Sequence, residues 1–337
     1  MNADKHQNKA IVVSGCRPTG ELTLGNYFGA VKNWVELQDS GKFNELYFFI
    51  ADWHALTTAY EDPSGIKESA ANMFLDCLAC GLNPDISAIF AQSKMHEHAE
   101  FALLLSFITP LGWLERNPTY KEQLRELETR EIQTHGFLGY PVLQAADILL
   151  YKASHVPVGE DQLPHLELTR EIARRFNFLY KCDLMTEPLP IMSPMKKLPG
   201  IDGRKMSKSY GNAIYMFEDM KSISSKTMTM YTDPSKLRKD DPGHPEGCVV
   251  FSHHKLFSAH VDQRKTECEK GQVGCVACKK DLLSQMEKML APLAENSKKV
   301  RKEYKSIMYD VLESGAKKAG KTAARTLEQA KKNMGLG

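Results

Sequence analysis

Short apolar strands alternate with longer helical segments through the first half of the chain, and that alternation restricts the fold more than any other feature. Ala10–Ser14 reads as a strand. A Gly/Pro loop follows at Gly15–Gly20, then a helix from Gly25 to Gln38. Leu46–Ile50 is a second buried strand ending in Ala51-Asp52-Trp53-His54, and Ile66–Cys80 is a helix stopped by Gly81. Ala88–Phe90 and Val156–Val158 are further strands. Helices are expected at Ala99–Phe107, Tyr120–Thr129, Tyr140–Ala153 and Leu163–Phe176. This order predicts an α/β fold with a doubly wound parallel sheet. Such sheets bind ligands beyond the carboxyl ends of their strands. Four polar segments are expected there: Ser14–Gly20, Asp52–His54, Gly159–Gln162 and a basic loop, Lys205–Ser209.

After Gly211 the pattern changes to helical segments without a convincing strand. Val300, Tyr304, Ile307, Met308, Val311 and Leu312 recur every three or four residues, giving one apolar helix face, and Ala316–Met334 reads as an Ala- and Lys-rich helix. The expected division is a first domain at 1–214 and a C-terminal helical domain at 215–337. A chain of 337 residues suffices for two such domains. There is no apolar run long enough to cross a membrane, and Met1–Lys9 is polar, without the apolar core of a signal peptide. A cytoplasmic protein is the expectation. Net charge is only +2, which does not announce a nucleic-acid partner. From Ser297 to Gly337, however, eleven Lys/Arg face four Asp/Glu. Most of these lysines suit a solvated helix face, but the sign would also help to hold RNA phosphates.

Lys205-Met206-Ser207-Lys208-Ser209 follows Asp202-Gly203-Arg204. A cationic loop rich in small donors suits a lid over polyphosphate, where charge develops and leaves with pyrophosphate. An exposed basic turn is the plain alternative. Pro18-Thr19-Gly20 and Thr23-Leu24-Gly25-Asn26 fall between the first strand and its helix. Gly25 would admit a nucleotide close to backbone, while Thr23 and Asn26 offer donors near a helix N-terminus. Alone, this is equally a capped helix start. Gly159-Glu160-Asp161-Gln162, with His165, is in isolation an acidic turn. Asp147 lies inside Val142–Leu150, a strongly apolar helix. A carboxylate there needs a partner, either a ligand donor such as an indole N–H or a phenolic O–H, or a structural bond to backbone or a buried lysine.

The eight cysteines suit a reducing compartment rather than disulfides. Cys248, Cys268, Cys275 and Cys278 form C-x19-C-x6-C-x2-C, a set of soft ligands for Zn²⁺ or an iron–sulfur cluster. Cys77 and Cys80 sit among Met73, Phe74, Leu75 and Leu78, where core packing is the expectation.

Taken in order, Gly15–Gly20, Thr23–Asn26, Ala145–Tyr151, Val158–Gln162, Leu168-Thr169-Arg170 and Lys205–Ser209 closely resemble the bacterial tryptophanyl-tRNA synthetases, a family of class I aminoacyl-tRNA synthetases. The likeness runs from about residue 10 to the C-terminus. It implies a Rossmann-type catalytic domain, a helical tRNA-binding domain, a homodimer, and partners L-tryptophan and tRNA(Trp). Arg17, Pro18, Thr19, Gly25, Asn26, Gly159, Glu160, Asp161, Ile191, Lys205, Met206, Ser207, Lys208 and Ser209 would line the ATP site. Thr23, Asn26, Lys205 and Lys208, with Mg²⁺, would serve catalysis. Asp147 would accept the indole N–H, with Gln162 nearby. Arg17 stands where many relatives carry glutamine. Some members hold a [4Fe–4S] cluster whose last three cysteines share the spacing seen here, which favours iron–sulfur over zinc. The resemblance leaves two other readings, a tyrosyl enzyme and a catalytically silent RNA-binding paralogue.

Overall fold

The computed structural model describes residues 10–126, 134–193 and 198–337. The Met1–Lys9 segment and the end of the expected Tyr120–Thr129 helix lie outside the described residues; that helix is seen over Pro118–Glu126.

Among the described residues five strands form one sheet: β1 (Ile11–Cys16), β2 (Glu45–Ile50), β3 (Ala88–Ala91), β4 (His155–Val158) and β5 (Leu189–Met192). Every pairing is parallel, in the order β3-β2-β1-β4-β5. The expected doubly wound α/β sheet is therefore formed. The chain starts at the centre, winds out to β3, then returns to the other side of β1. The reversal between β1 and β4 opens a crevice at the carboxyl ends of those strands. β1 and β2 read as continuous apolar runs because both faces of a parallel sheet are covered. Trp34 stacks on Phe48 with ring centroids 4.9 Å apart, and Phe49 stacks on Phe90 at 5.7 Å.

β5 escaped the sequence reading. It is an edge strand of only four residues with Leu189 and Met192 exposed, and its apolar run is short and interrupted by a proline. Its Pro190 pairs with Val156, and proline belongs at such an edge because it cannot donate to a further strand. Asp52–Ala59, marked only as a polar strand end, begins a helix. The expected Gly25–Gln38 helix is interrupted. Leu24–Asn26 is α-helical, Tyr27–Val31 takes a π-helical turn, and Lys32–Asp39 resumes.

Two compact units emerge, and they interleave along the chain rather than meeting at one cut near 214. The first holds residues 10–20, 30–193 and 303–337; the second holds 21–29 and 198–302. The first contains the sheet. Its last helix, Met308–Asn333, lies against β3, whereas the sequence placed it in the C-terminal helical domain. Gly315 explains the close approach. A Cβ there would stand 2.0 Å from the Ile89 carbonyl oxygen, and Ala316, Ala319, Ala323 and Ala330 continue the buried stripe of small residues. The second unit is mainly helical, with Met220–Thr229, Val249–Phe257, Val261–Glu269 and most of Cys275–Tyr304.

Gly315→Ala is expected to lower stability by about 1–3 kcal/mol, the usual cost of overpacking. Gly139→Ala, with open space around its Cβ, should instead be neutral or stabilising by roughly 0.5–1 kcal/mol. Urea unfolding of the two variants measures the contrast.

Candidate active site

In the first unit Asp147 is the centre. Its helix, His135–Leu149, buries Ala145, Ala146, Ile148 and Leu149 around it. The partners are neither backbone nor lysine. Oδ2 accepts from His54 Nε2 at 2.8 Å, Oδ1 accepts from His98 Nδ1 at 2.6 Å, and Gln92 Nε2 donates to both oxygens at 2.8 and 3.0 Å. Burial raises the carboxyl pKa, but the hydrogen bonds from His54 and His98 outweigh it and hold the pKa at about 2. Asp147 is thus an anion at physiological pH. His98 Nε2 meets the Tyr151 hydroxyl at 2.7 Å, so this donor is itself held in place. Gln92 Oε1 is buried and has no hydrogen-bond partner among the described residues.

At the end of β1, Gly15 is required by packing: a Cβ would stand 2.4 Å from the Phe49 ring. Arg17, Pro18 and Thr19 follow and line a cavity of about 280 Å³ with Thr58, Asp62 and Ser69. At the end of β4, Gly159 leaves room for its neighbour, since a Cβ would lie 2.8 Å from Asp161 Oδ1. Glu160 and Asp161 are exposed and Gln162 is half-buried. Gln162 bonds to Asp161 and His165, and the Tyr140 hydroxyl lies 2.7 Å from His165 Nε2. Burial pushes the His165 pKa down to about 4, leaving the ring neutral. Ile191 is half-buried on β5.

The second unit brings two other predicted motifs together. Thr23 Oγ1 accepts from Asn26 N–H at 3.1 Å and donates to Asn26 Oδ1 at 2.8 Å, a capping box. Leu24 N–H donates to the Ile214 carbonyl at 2.9 Å. A Cβ at Gly25 would meet Met206 Sδ at an ordinary 3.6 Å, so nothing in the described protein demands glycine there. The basic loop is anchored at its base. Met206 N–H donates to the Leu198 carbonyl at 3.1 Å, and Ser207 N–H to Asn212 Oδ1 at 2.8 Å. Asn212 Nδ2 donates to Asp202 Oδ1 at 2.8 Å and to the Lys205 carbonyl at 3.1 Å. Lys205 is exposed, Lys208 is half-buried, and the Lys208 ammonium lies 6.0 Å from the Tyr215 ring centroid. Asn212, 2% exposed, was missed by the sequence reading. Its only signal there was an Asn next to a turn glycine.

Cys248, Cys268, Cys275 and Cys278 line one cavity of about 20 Å³ in the second unit, with Thr232, Asp233 and Lys236. Burial pushes the Cys278 thiol up to about 12 against the opposing charge of Arg264, and raises that of Cys268 against Lys236. Cys248 and Cys275 raise both of these thiols, and Cys268 also raises that of Cys278. Among the described residues, no group of three or more His, Cys, Asp or Glu side chains is arranged to hold a metal ion. Cys77 and Cys80 are buried in the first unit, as core residues.

Three comparisons bear on this geometry. Residues 5–291 match the family of tRNA synthetases class I (W and Y). The chain is 50% identical over 328 residues to the tryptophan–tRNA ligase of Thermotoga maritima, covering 96% of this chain and 99% of that one. It is 42% identical to the tryptophan–tRNA ligase of Aquifex aeolicus, over 96% and 99%. Among solved structures it resembles tryptophanyl-tRNA synthetase from Campylobacter jejuni complexed with ADP and tryptophan. The TM-score is 0.81 at 32% identity, covering 97% of this chain and 100% of that one.

Asn212→Ala removes three hydrogen bonds from the loop base. Trypsin should then cut after Lys205 or Lys208 about tenfold faster, as expected for the loss of about 1–1.5 kcal/mol of local hydrogen bonding. Timed digestion followed by mass spectrometry reads the nick.

Proposed function

The chain belongs to the class I tRNA synthetases of the tryptophan and tyrosine family, and on that premise we propose that it is a tryptophan–tRNA ligase. It activates L-tryptophan with ATP and passes the tryptophanyl group to tRNA(Trp). The observation that carries the reading is likeness to tryptophan–tRNA ligases along essentially the whole chain.

Asp147 is the recognition group for the indole N–H. An acceptor-only anion suits a substrate group that can only donate. Both of its oxygens already have donors, so the indole N–H shares an oxygen or displaces one donor. His54, the least buried of the three donors, is the one to yield. A ligand lacking the donor would leave the anion underpaired, which is costly in a buried site.

In the first step a tryptophan carboxylate oxygen attacks the α-phosphorus of ATP. The bond to the β-phosphate oxygen breaks, giving tryptophanyl-adenylate and pyrophosphate. Lys205 and Lys208 stabilise the negative charge on the phosphates. Mg²⁺, when bound with the nucleotide, neutralises the same charge. Thr23 and Asn26 supply neutral hydrogen-bonding groups. Gly25, free to lack a side chain, lets the nucleotide approach the backbone. Arg17, Pro18, Thr19, Gly159, Glu160, Asp161, Ile191, Met206, Ser207 and Ser209 complete the nucleotide site, and Gln162 contacts the amino acid. In the second step the 2′ hydroxyl of the terminal adenosine attacks the acyl carbon, AMP leaves, and the hydroxyl proton is lost. Positioning and electrostatics supply the catalysis, with no covalent enzyme intermediate.

The four cysteines would hold a [4Fe–4S] cluster, with Zn²⁺ the alternative for the same thiolates, and binding would have to draw their side chains together, since they are not arranged for a metal as they stand. Convergence of all four on one cavity supports the reading. The raised thiol pKa values mean that metal binding must displace protons. Held by these thiolates, such a group would link Cys248 to the start of the Cys275–Tyr304 helix and would stiffen the helical unit proposed to bind tRNA. The enzyme works in the cytoplasm as a homodimer; exposed Leu103, Phe107, Leu111 and Phe178 in the first unit offer apolar surface for the second subunit.

Tryptophan-dependent ATP–pyrophosphate exchange tests the activity. Exchange with tyrosine alone would indicate the tyrosyl enzyme, and exchange with neither a silent RNA-binding paralogue. Asp147→Asn should reduce kcat/KM for tryptophan by about 10–100-fold, the loss expected for a buried charged hydrogen bond. Unchanged discrimination would remove Asp147 from the indole site. Anaerobic purification should yield a brown protein with about four irons per chain; a colourless protein holding zinc refutes the cluster.

A further inference from the structure

His165 belongs to none of the roles assigned above, yet it sits 1% exposed in the first turn of the Leu163–Leu179 helix. Its hydrogen bonds have a direction that can be deduced from one end. An Asp161 carboxylate can only accept, so the Gln162 group 3.3 Å from Asp161 Oδ2 must be the amide nitrogen. Gln162 Oε1 therefore faces the other way and is an acceptor. His165 Nδ1, 3.2 Å from that oxygen, must carry the proton. In a neutral ring Nε2 is then an acceptor, and the Tyr140 hydroxyl at 2.7 Å must donate to it. Gln144 Nε2 gives Gln162 Oε1 a second, longer contact at 3.5 Å. Donors thus point one way, from Tyr140 through His165 and Gln162 to Asp161.

We propose that His165 is a positioning residue that fixes the Gln162 amide and, through it, the Asp161 carboxylate for binding of the amino acid. The proposal rests on the tryptophan-activating reading. Without the His165 Nδ1–H, the Gln162 side chain can turn its amide over. Its carbonyl oxygen would then face the Asp161 carboxylate, two acceptors with no proton between them, and the carboxylate would move away. The neutral state of His165 keeps the direction constant, because burial and Arg17 disfavour the cation more than Asp161 favours it; His54 also opposes it.

The test uses two amides of different length. An asparagine amide nitrogen reproduces the Nδ1 donor, whereas a glutamine amide reaches the Nε2 position and leaves Gln162 without its donor. His165→Gln should raise KM for tryptophan about tenfold in pyrophosphate exchange, with a smaller rise in KM for ATP, about threefold, because Asp161 also borders the nucleotide, and with the melting temperature unchanged. His165→Asn should stay within about twofold of the parent. An unchanged KM in His165→Gln, or an equal rise in both variants, overturns the proposal. If His165→Gln does not fold, Tyr140→Phe carries the test, with an expected rise of about threefold in the same KM; no rise overturns it. The imidazole tautomer, read by ¹⁵N NMR of the parent protein at neutral pH, is independent of activity. A proton on Nε2 rather than Nδ1 overturns the network, while absent exchange with a correct tautomer sinks only the assigned reaction.

Discussion

A negative charge is held inside an apolar helix, and the catalytic face of the sheet is arranged around that cost. A bare buried carboxylate is prohibitive, so Asp147 must be met by donors wherever the chain can bring them. They come from three places: His54 just beyond β2, Gln92 just beyond β3, and His98 on the helix after it. The same bonds therefore fasten the carboxyl ends of two strands to the His135–Leu149 helix. His98 passes the constraint on to Tyr151, whose ring stacks on Tyr47 at 4.6 Å. On the proposed reading a recognition group and a structural strut are one residue, because an anion that is fully compensated cannot drift.

The parts of this arrangement differed in how plainly the sequence showed them. Asp147 stood out because a charge interrupts an apolar run. Of its donors only His54 lay in a segment the sequence marked, at the end of β2; Gln92 and His98, 55 and 49 residues away, occupy ordinary contexts. The central strands were legible from their apolar runs, but β5, half-solvated and carrying a proline, was not. The four cysteines were visible through spacing alone, and they do line a common cavity. The last helix was misread for a physical reason. Alanine and glycine contribute little hydrophobicity, so a stripe that permits close packing looks in sequence like a solvated, lysine-rich tail.

The two glycines at 15 and 25 show how similar residues in neighbouring loops answer to different forces. Gly15 is forced by the Phe49 ring, while Gly25 has only ordinary contact with Met206. The first is explained by the protein itself, and the second is not. The basic loop divides in the same way. Its base is tied to the buried Asn212, while Lys205 stands exposed. On the proposed reading, a cationic loop on a fixed base can respond to phosphate without losing its register.

The seat of Gly315 on Ile89 joins positions 226 residues apart, 315 less 89. A chain emerging from the ribosome makes β3 long before the helix that covers one of its faces. The earlier sheet must wait, with apolar surface open to solvent or to a chaperone, until nearly all of the polypeptide has been synthesised. The sheet-bearing unit is thus completed after the helical segment that interrupts its sequence, and any message truncated ahead of residue 308 yields a sheet without its cover.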